Sequence, residues 1–473
     1  MKEDEILKLI SEDNASEHKQ QARKGQSYYE GVHDIKNCRF FYYNADGCIK
    51  EDTYRSNVKI PHPFFSELVD QAVQYVFSGD GFVFSENTDL QKILDEYFNL
   101  NEDFLAEVSK LLTGCIAKGS EYMFAYRNEE NKLAFQCADS LCVVEVRSSE
   151  TAKIPDYVIY WYADRIKNKT IKRVQVWDKE QVSFYVQVDN GKLRLDSNEE
   201  QNPRPHTIVR GNADGKIYGR SFGYIPFFRL DNNKNRLSGL SVVKELIDDY
   251  DLMASSLSNN LIDFDMPLYA ITGFEGDNLD ELQTNLKTKK IIGLDDGGGV
   301  EVKTVDVPYQ ARQVKLELDE KNIYRFGMGL NTAGLKDTTA TTNIAIKAAY
   351  SLLDLKCSKL EIRLKQFLRS IAKPVLDEIN EKENTGYKLS DIKFEFKHEI
   401  MSNALENSQI KQNEANAKQT EINTLLNLAD SLDDETRMQK ICEVLDVEYS
   451  EVKERLPKSA DNLLKSAEVI LNE

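Results

Sequence analysis

Residues 238–264 read SGLSVVKELIDDYDLMASSLSNNLIDF and predict a long helix that begins near Ser238. Its apolar residues recur in alternating steps of four and three: Val243, Ile247, Tyr250, Ala254, Leu257, Leu261 and Phe264. Such heptad-like spacing gives a helix one narrow apolar face that can pack against other helices. Pro267 is expected to end this helix, because proline cannot continue it.

A small insert follows, and a second helix is predicted to return from it over Gln310–Phe326. Within the insert the pattern predicts the strand Leu268–Ile271, the helix Leu279–Lys287 and the strands Ile291–Leu294 and Val300–Val302, with a glycine-rich turn between the last two. Two helices are therefore expected to bracket a compact α/β module.

The segment Gly327–Thr342, GMGLNTAGLKDTTATT, is rich in glycine and threonine and has Lys336 and Asp337 as its only charges. We expect a mobile loop between helices, in which Gly329 and Gly334 permit unusual backbone angles. An ordinary surface loop is the alternative. The threonines and Asn331 could offer hydrogen bonds to a partner without a fixed charge.

A long helix is predicted from Asn343, with apolar residues again spaced by four and three from Ile346 to Ile371 and a kink or interruption at Pro374. Basic residues make this helix locally cationic: Lys347, Lys356, Lys359, Arg363, Lys365 and Arg369. The strand Ile392–Lys397 and a polar helical stretch over residues 401–473 follow.

The part of the chain before residue 238 changes from helical to strand-like patterns. A polar helix over the first ~25 residues, a hairpin turn at Asn44–Gly47 and helices near 64–77 and 104–118 are predicted. Thr88, with Gln91 three residues on, predicts the capping box of a short helix. From Glu121 to Phe228 the pattern is typical of an antiparallel β-rich region.

Composition excludes several classes of protein. The 473 residues include 61 Lys and Arg against 79 Asp and Glu, so the formal charge is −18. A generally basic protein that coats nucleic acid is therefore excluded. No apolar run reaches ~18 residues, which predicts that no helix spans a membrane. The seven cysteines form no Cys-x-x-Cys pair, which favours synthesis in a reducing cytoplasm without disulfides or a zinc site.

The sequence contains no recognisable catalytic constellation. A phosphate-binding loop and paired histidines are absent, and the neighbouring acids Asp248, Asp249 and Asp251 point apart by ~100° per residue on a helix. We interpret these acids as a solvated face rather than a metal site. We expect no cofactor and no metal, and the chain is not predicted to be an enzyme.

Seven strings in a fixed order resemble the portal proteins of tailed bacteriophages, specifically siphophages of Gram-positive hosts. They are Tyr28–Asp34, Phe40–Asn44, Arg55–Phe65, Phe222–Phe228, Leu246–Leu252, Ser258–Asn260 and Leu352–Arg363. The likeness spans Gln26 to Glu406, and the remaining tail is compatible with it.

The resemblance implies a mixed α+β portal fold that forms rings. It implies an N-terminal arm and β-rich wing (1–237), a stem helix (238–263), a clip (264–309), a second stem helix (310–328), a tunnel loop (329–342), a long wing helix with a wing strand (343–400) and a helical crown (401–473). Residues implied to pack subunits in the stem are Val243, Ile247, Tyr250, Ala254, Leu257 and Leu261. Residues implied to face DNA in the tunnel loop are Gly329, Asn331, Thr332, Gly334, Lys336, Asp337, Thr338, Thr339 and Thr341.

The function implied is that of a head–tail connector at one capsid vertex, normally in twelve copies. Double-stranded DNA would be packaged through it by the terminase large subunit and later ejected. Further implied partners are a head-completion or adaptor protein and the major capsid and scaffolding proteins, with no membrane. The protein would be made in the host bacterial cytoplasm and reside in the virion.

Acidity suits such a conduit, because each phosphate contact would add friction to a moving polyanion. The alternative is that the charge of −18 only maintains solubility. Two other classes remain open: another head or connector component, and, against the pattern, a DNA-processing enzyme.

Overall fold

The computed structural model describes residues 1–53, 55–128, 131–149, 152, 154–166, 168–189, 191–210, 217–264, 268–274, 280, 294–303, 308–332, 343–398, 404–427, 433–445 and 447–449. The chain divides into two compact units. The first comprises Met1–Thr332 with Ala349–Glu399, and the second comprises Ala333–Ala348 with Ile400–Glu473.

The described helices and strands confirm a mixed α and β chain. The helices are α1 (Glu3–Ala15), α2 (Glu17–Tyr29), α3 (Phe64–Val76), α4 (Thr88–Leu94), α5 (Glu102–Lys118), α6 (Lys244–Phe264), α7 (Tyr309–Gly327), α8 (Asn343–Glu383), α9 (Ala404–Asn427) and α10 (Asp434–Val444). The strands up to residue 188 are β1 (Phe41–Tyr43), β2 (Ile49–Glu51), β3 (Val83–Phe84), β4 (Ser120–Arg127), β5 (Leu133–Ala138), β6 (Val143–Val146), β7 (Tyr157–Ile166), β8 (Lys169–Trp177) and β9 (Gln181–Val188). The later strands are β10 (Arg194–Leu195), β11 (Arg204–Pro205), β12 (Thr207–Arg210), β13 (Ile217–Arg220), β14 (Phe227–Asp231), β15 (Leu268–Phe274), β16 (Leu294–Lys303) and β17 (Lys393–Phe394).

Local sequence explains several element boundaries. Ser16 ends α1, and its hydroxyl then caps α2 by accepting a hydrogen bond from the Lys19 amide. Asn101 caps α5 in the same way, accepting from the Phe104 amide at 3.0 Å. Gly119 ends α5 at φ +97°, where a Cβ would lie 2.1 Å from the Arg236 carbonyl oxygen. Only glycine satisfies both demands at that position.

Two antiparallel sheets confirm the predicted β-rich region. The larger has the order β10-β9-β8-β7-β6, with β11 also paired to β9, and the smaller has the order β14-β4-β5. Helix α1 contributes Ile6 and Ile10 to a core shared with Val144, Ile159 and Val174 of the larger sheet. Burying such aliphatic side chains stabilises the fold by about 1.5–3 kcal/mol each.

Several sequence expectations need correction within the described residues. The N-terminal helix is two helices, and Asn87 rather than Thr88 caps α4. The predicted strand Val300–Val302 lies within the longer strand β16, which also includes Leu294 and the glycine run. Strand β16 pairs with β15 in register from Lys303 to Gly299, and the register shifts before Leu294 pairs with Phe274. Residues 291–293 of the other predicted strand lie outside the described part of the chain. Of the predicted helix Leu279–Lys287 only Asp280 is described. Helix α8 continues through Pro374 without interruption.

The second unit contains α9 and α10, in keeping with the helical tail predicted from the sequence. Residues 450–473 of that tail lie outside the described part. Among the residues that the structure describes, none belongs to a helix both long and apolar enough to cross a membrane.

Candidate functional site

Helices α6 and α7 pack against each other. In the sequence they precede and follow the β15–β16 insert, as the helix–insert–helix pattern predicted. The predicted apolar face of α6 is not uniformly available to a partner. Val243 and Ile247 are fully buried within the chain itself, whereas Leu261 is 54% exposed. The middle residues, Tyr250, Ala254 and Leu257, are half-buried. A neighbouring molecule could therefore contact the distal half of this face and not its beginning.

A second face of α6 carries what we call the polar ladder: Asp251, Ser255, Asn259 and Asp263. These side chains accept hydrogen bonds from alternate backbone amides of the extended segment Ser56–His62. The donor–acceptor distances are 2.8 Å (His62 to Asp251), 3.1 Å (Ile60 to Ser255), 2.6 Å (Val58 to Asn259) and 3.1 Å (Ser56 to Asp263).

Matched spacing makes the ladder possible. Four residues of helix advance by about 6 Å, and two residues of extended chain advance by about 6.6 Å. Side chains at every fourth helical position therefore meet every second amide of the strand-like segment. The segment has no sheet partner in the described structure, and the ladder supplies hydrogen-bond acceptors to its alternate amides instead.

The ladder begins at a buried carboxylate held by two histidines. Asp251 is fully buried, and its two oxygens lie 2.6 Å from Nδ1 of His33 and 2.8 Å from Nδ1 of His62. Tyr28 stacks on the His33 ring at 4.4 Å between centroids. Burial alone would raise the pKa of Asp251, but the hydrogen bonds from both histidines and the His62 amide outweigh burial and lower the pKa.

The expectation of a solvated acidic face on α6 is therefore wrong for Asp251, whereas Asp248 and Asp249 remain partly exposed. Asp251 is buried, Asp248 accepts from the Tyr28 hydroxyl and from Lys244, and Asp249 pairs with Lys315 of α7. Lys244 lies one turn before Asp248 on the same helix, but the other partners lie 66 to 220 residues away in sequence, so Asp249 and Asp251 look unpaired when the helix is considered alone. These carboxylates hold the chain's own segments together and do not form a bare acidic surface.

The start of the glycine- and threonine-rich loop is held against α3. The Gln71 side chain accepts from the Leu330 amide at 2.8 Å and donates to the Leu330 carbonyl at 2.9 Å. The Asn331 side chain donates to Glu320 at 3.2 Å, which also ties this residue to α7. Thr332 is exposed and is the last described residue before the gap.

Gly329 lies in this anchored part. Glycine is needed there because a side chain would have no room, and not because the backbone takes an unusual conformation. It is buried, and a Cβ there would lie 2.2 Å from a methyl carbon of Leu68. The left-handed conformation belongs to its neighbour Met328, at φ 53°. The reason inferred from sequence for Gly329 was therefore wrong.

One lysine of the long basic helix is part of the same junction. Lys356 donates to the Gly327 carbonyl at 3.1 Å and to the Leu68 carbonyl at 3.2 Å, so α8 is tied to the C-terminus of α7 and to α3. Burial lowers the pKa of Lys356 to about 8. A cation at this point faces the negative end of the α7 dipole, which is favourable.

The remaining predicted loop residues lie outside the described part of the chain. They are Gly334, Lys336, Asp337, Thr338, Thr339 and Thr341. Within the described residues, no group of three or more His, Cys, Asp or Glu side chains could hold a metal ion.

A profile of the family described as "Phage portal protein, SPP1 Gp6-like" matches residues 9–451. The chain belongs to this phage portal protein family. Family members are structural components of the phage particle, so the resemblance inferred from sequence is confirmed and a structural rather than enzymatic role follows from membership.

Two relatives carry the name portal protein. That of Bacillus phage SPP1 is 27% identical over 368 residues, which cover 77% of this chain and 70% of the relative. That of Clostridium phage phiCD119 is 25% identical over 439 residues, covering 87% of this chain and 89% of the relative. Both names support a connector role for the family.

Solved structures with a similar chain include the "Neck of empty GTA particle computed with C6 symmetry", at 14% identity and a TM-score of 0.41, covering 82% of this chain and 90% of that one. The "Neck of native GTA particle computed with C12 symmetry" aligns at 13% identity and a TM-score of 0.39, covering 81% and 91%. Neither TM-score reaches 0.5, so the likeness does not define which element corresponds to which.

Sequence reasoning missed two sets of residues. His33 and His62 hold Asp251, and Gln71, Lys356 and Leu68 contact the chain where α7 ends. Each acts over more than 25 residues of separation, and single His, Gln or Lys residues carry no local motif. The four-residue spacing of small polar side chains on α6 is visible in the sequence, but a solvated helix face shows the same spacing, so it does not indicate a partner segment.

Proposed function

We propose that copies of this chain assemble into a ring at one capsid vertex, through which double-stranded DNA is packaged and later released. Family membership carries the proposal, and the paired helices α6 and α7 support it. In it, residues 1–237 form the arm and wing, α6 and α7 the stem, residues 264–309 the clip, residues 329–342 the tunnel loop, residues 343–400 the wing helix and strand, and residues 401–473 the crown. The protein would reside in the virion after synthesis in the host cytoplasm.

The exposure of individual α6 side chains limits which of them could pack against a neighbouring subunit in the proposed stem. Val243 and Ile247 support α6 from inside the chain, and Leu261 is the member of the predicted face with most surface to offer a neighbour. Tyr250, Ala254 and Leu257 lie between these extremes. Subunit packing in the stem would therefore concentrate toward the clip end of α6.

Contacts within the chain also limit which residues of the proposed tunnel loop could reach DNA. Gly329, Leu330 and Asn331 act as its anchor, so contact with DNA would begin at Thr332. The nearly uncharged composition of residues 333–342 supports weak, replaceable contacts with a moving duplex, since each fixed cation would add phosphate affinity. Lys336 could touch phosphate or pair with Asp337.

The partners proposed are further copies of the chain, twelve in the virion, duplex DNA, the terminase large subunit, an adaptor or head-completion protein, and the major capsid and scaffolding proteins. Family membership supports these partners as a class. A packaging assay with purified terminase and empty heads tests the set: heads assembled with the protein should fill with DNA, and heads assembled without it should not. Equal filling of both would contradict the proposal.

A further inference from the structure

Helix α8 presents a row of exposed residues on the side opposite its buried apolar face. The row advances in steps of three and four along about six turns of the helix, and its members are Leu352, Leu355, Lys359, Ile362, Gln366, Arg369 and Lys373. The aliphatic members, Leu352, Leu355 and Ile362, are 38%, 50% and 63% exposed. Such spacing is typical of a contact face between packed helices. We call this row the basic seam.

The charge of the basic seam is entirely positive. Its charged members are Lys359, Arg369 and Lys373, which give it a charge of +3. Among the described residues, none of these three side chains has a salt-bridge partner. The acids of the same stretch lie on other sides of α8. Asp354 accepts from the Tyr75 hydroxyl at 3.0 Å, and Glu361 lies 2.7 Å from Nε2 of His398.

Neighbouring charges do not cancel that of the basic seam. Lys393 and Glu395 line a groove together with Arg369 and have opposite signs. Asp377 follows one turn after Lys373, so three bases and one acid leave this side of α8 with a charge of +2. The whole chain carries −18, which makes a positive, partly aliphatic helix face a local exception. Exposed aliphatic side chains in line with unpaired charges indicate an interaction surface.

A groove of about 760 Å³ lies at the other end of the same helix. Its walls include the π-helical turn Asp95–Asn99, the start of α5, strands β4 and β5, and the last residues of α8. The Tyr97 hydroxyl donates to Glu378 of α8 at 3.0 Å, which fixes the turn against the helix. Leu100 follows the turn and is 76% exposed. Turns of π-helix are rare and often lie at functional sites.

The groove combines an apolar floor with an acidic rim, and we call it the acidic groove. Phe104 and Phe135 are buried in its floor, with their ring centroids 5.9 Å apart. The wall formed by residues 89–103 carries five acids and Lys92 as its one base, a net charge of −4. The exposed charged residues of the other walls are Lys132, Lys382 and Glu383, which bring the balance to −3. This surface is complementary to the basic seam in both polarity and charge.

We propose that the basic seam of one copy docks in the acidic groove of the next copy and forms part of the contact between subunits. Ile362 and Glu383 are 21 residues apart on α8, about 32 Å along the helix axis. The aliphatic part of the seam therefore cannot reach the groove of its own chain. Two different patches meet, which is the heterologous type of contact from which rings close. The inference rests on the proposed ring and adds a contact outside the stem helices.

Charge reversal tests each surface separately. The seam variant is Lys359→Glu, Arg369→Glu, Lys373→Glu, and the groove variant is Glu96→Lys, Asp103→Lys, Glu383→Lys. Either variant places like charges opposite each other, so each should raise the concentration of half-assembly at least about tenfold in sedimentation velocity.

The matched control is Arg165→Glu, Lys169→Glu, Lys192→Glu, at exposed positions of the larger sheet and its turns. It changes the net charge as much as the seam variant does and should assemble like the wild type. Unchanged far-UV circular dichroism and melting temperature establish that all three variants fold.

Mixing the seam and groove variants in equal amounts gives the sharpest measurement. The unchanged groove of the seam variant accepts the unchanged seam of the groove variant, and the two reversed surfaces also attract each other. Rings in which the variants alternate should therefore form near the wild-type concentration. With the groove variant ¹⁵N-labelled, native mass spectrometry should count both variants in equal numbers. A folding defect would not be restored by mixing.

The outcomes are distinguishable. Assembly of the seam variant alone at the wild-type concentration, or failure of the mixture to assemble, overturns the docking proposal and leaves the ring intact. Failure of the wild type to assemble overturns the ring and this contact with it. If the seam variant assembles normally but loses binding to a short DNA duplex, the seam contacts nucleic acid instead, and the proposal is again wrong.

Discussion

Gln71 makes two hydrogen bonds to the backbone of Leu330, accepting from its amide at 2.8 Å and donating to its carbonyl at 2.9 Å. A side-chain amide that pairs with both groups of one residue takes the place of a strand partner. This pair fixes the point at which the chain leaves α7 and enters the proposed tunnel loop. The proposed loop therefore starts from a fixed anchor at Leu330 and not from its first glycine.

Replacing Gln71 with alanine should release that anchor. The Leu330 amide and carbonyl would lose their partner, at a cost of about 1–3 kcal/mol to the free energy of unfolding. Hydrogen exchange at Leu330 should accelerate while ring assembly persists. Gln74→Ala, at an exposed position of the same helix, is the control and should leave exchange at Leu330 unchanged. Unaltered exchange in Gln71→Ala would show that the pair does not hold the loop.

Gly329→Ala should destabilise the chain by overpacking. The added methyl group would lie 2.2 Å from Leu68, and such clashes typically cost about 1–3 kcal/mol. Truncation of Leu68 to alanine in the same molecule should recover part of that loss, which chemical denaturation in a double-mutant cycle can measure. Gly386→Ala, where a Cβ meets nothing within 4 Å, serves as the control. Additive losses in the cycle would contradict the packing role.

The buried carboxylate of Asp251 should make stability depend on acid. Its pKa lies below the ordinary value of 3.8, so its stabilising contribution is complete above about pH 4 and is lost as the pH falls through the lowered pKa. Asp251→Asn should cost about 1–3 kcal/mol at neutral pH. It should also flatten the decline in stability below pH 4, measured by denaturant unfolding across pH.

Glu245→Gln, on the exposed side of the same helix, is the control for this pH series. It should retain the wild-type profile because its side chain is not part of the ladder. A parallel profile for wild type and Asp251→Asn would refute the linkage.

Substitutions at Ile247 and Leu261 should have different effects, the first on folding and the second on ring assembly. Ile247 is completely buried in its own chain, so Ile247→Asp places a charge in the core and should unfold the protein. Leu261 is 54% exposed, so Leu261→Glu should leave the fold unchanged and weaken rings. Circular dichroism reports the first effect and light scattering the second. Full-size rings from Leu261→Glu at the wild-type concentration would remove this part of α6 from the subunit contact.

The periodic features of the fold could be predicted from sequence, and the junctions could not. Spacing by four and three located α6 and α8, and alternation located the antiparallel strands, because each depends on residues close in sequence. Asp251 looked solvated because the segment that covers it lies about 190 residues earlier. Gly329 looked like a flexible residue because its close neighbour, Leu68, is on a different helix. The polar ladder depends on α6 and the extended segment Ser56–His62 meeting in register. The sequence of neither segment by itself shows that they meet.

Shortening the loop by deletion of Ala333–Thr341 should spare assembly and impair DNA packaging or retention. The anchor at Gln71 and Leu330 lies outside the deletion, so the junction of α3, α7 and α8 should remain intact. Counting DNA-filled heads in complemented lysates measures the effect. Wild-type yields of full heads would exclude a role for the loop in handling DNA.

Electron cryomicroscopy of the purified protein tests the central claim most directly. We expect a closed ring of identical subunits with a central channel, the stem helices α6 and α7 packed between neighbours, and residues 333–342 lining the narrowest part of that channel. Monomers or closed globules without a channel would contradict the portal assembly. A ring with residues 333–342 on its outer rim would contradict the assignment of the tunnel loop.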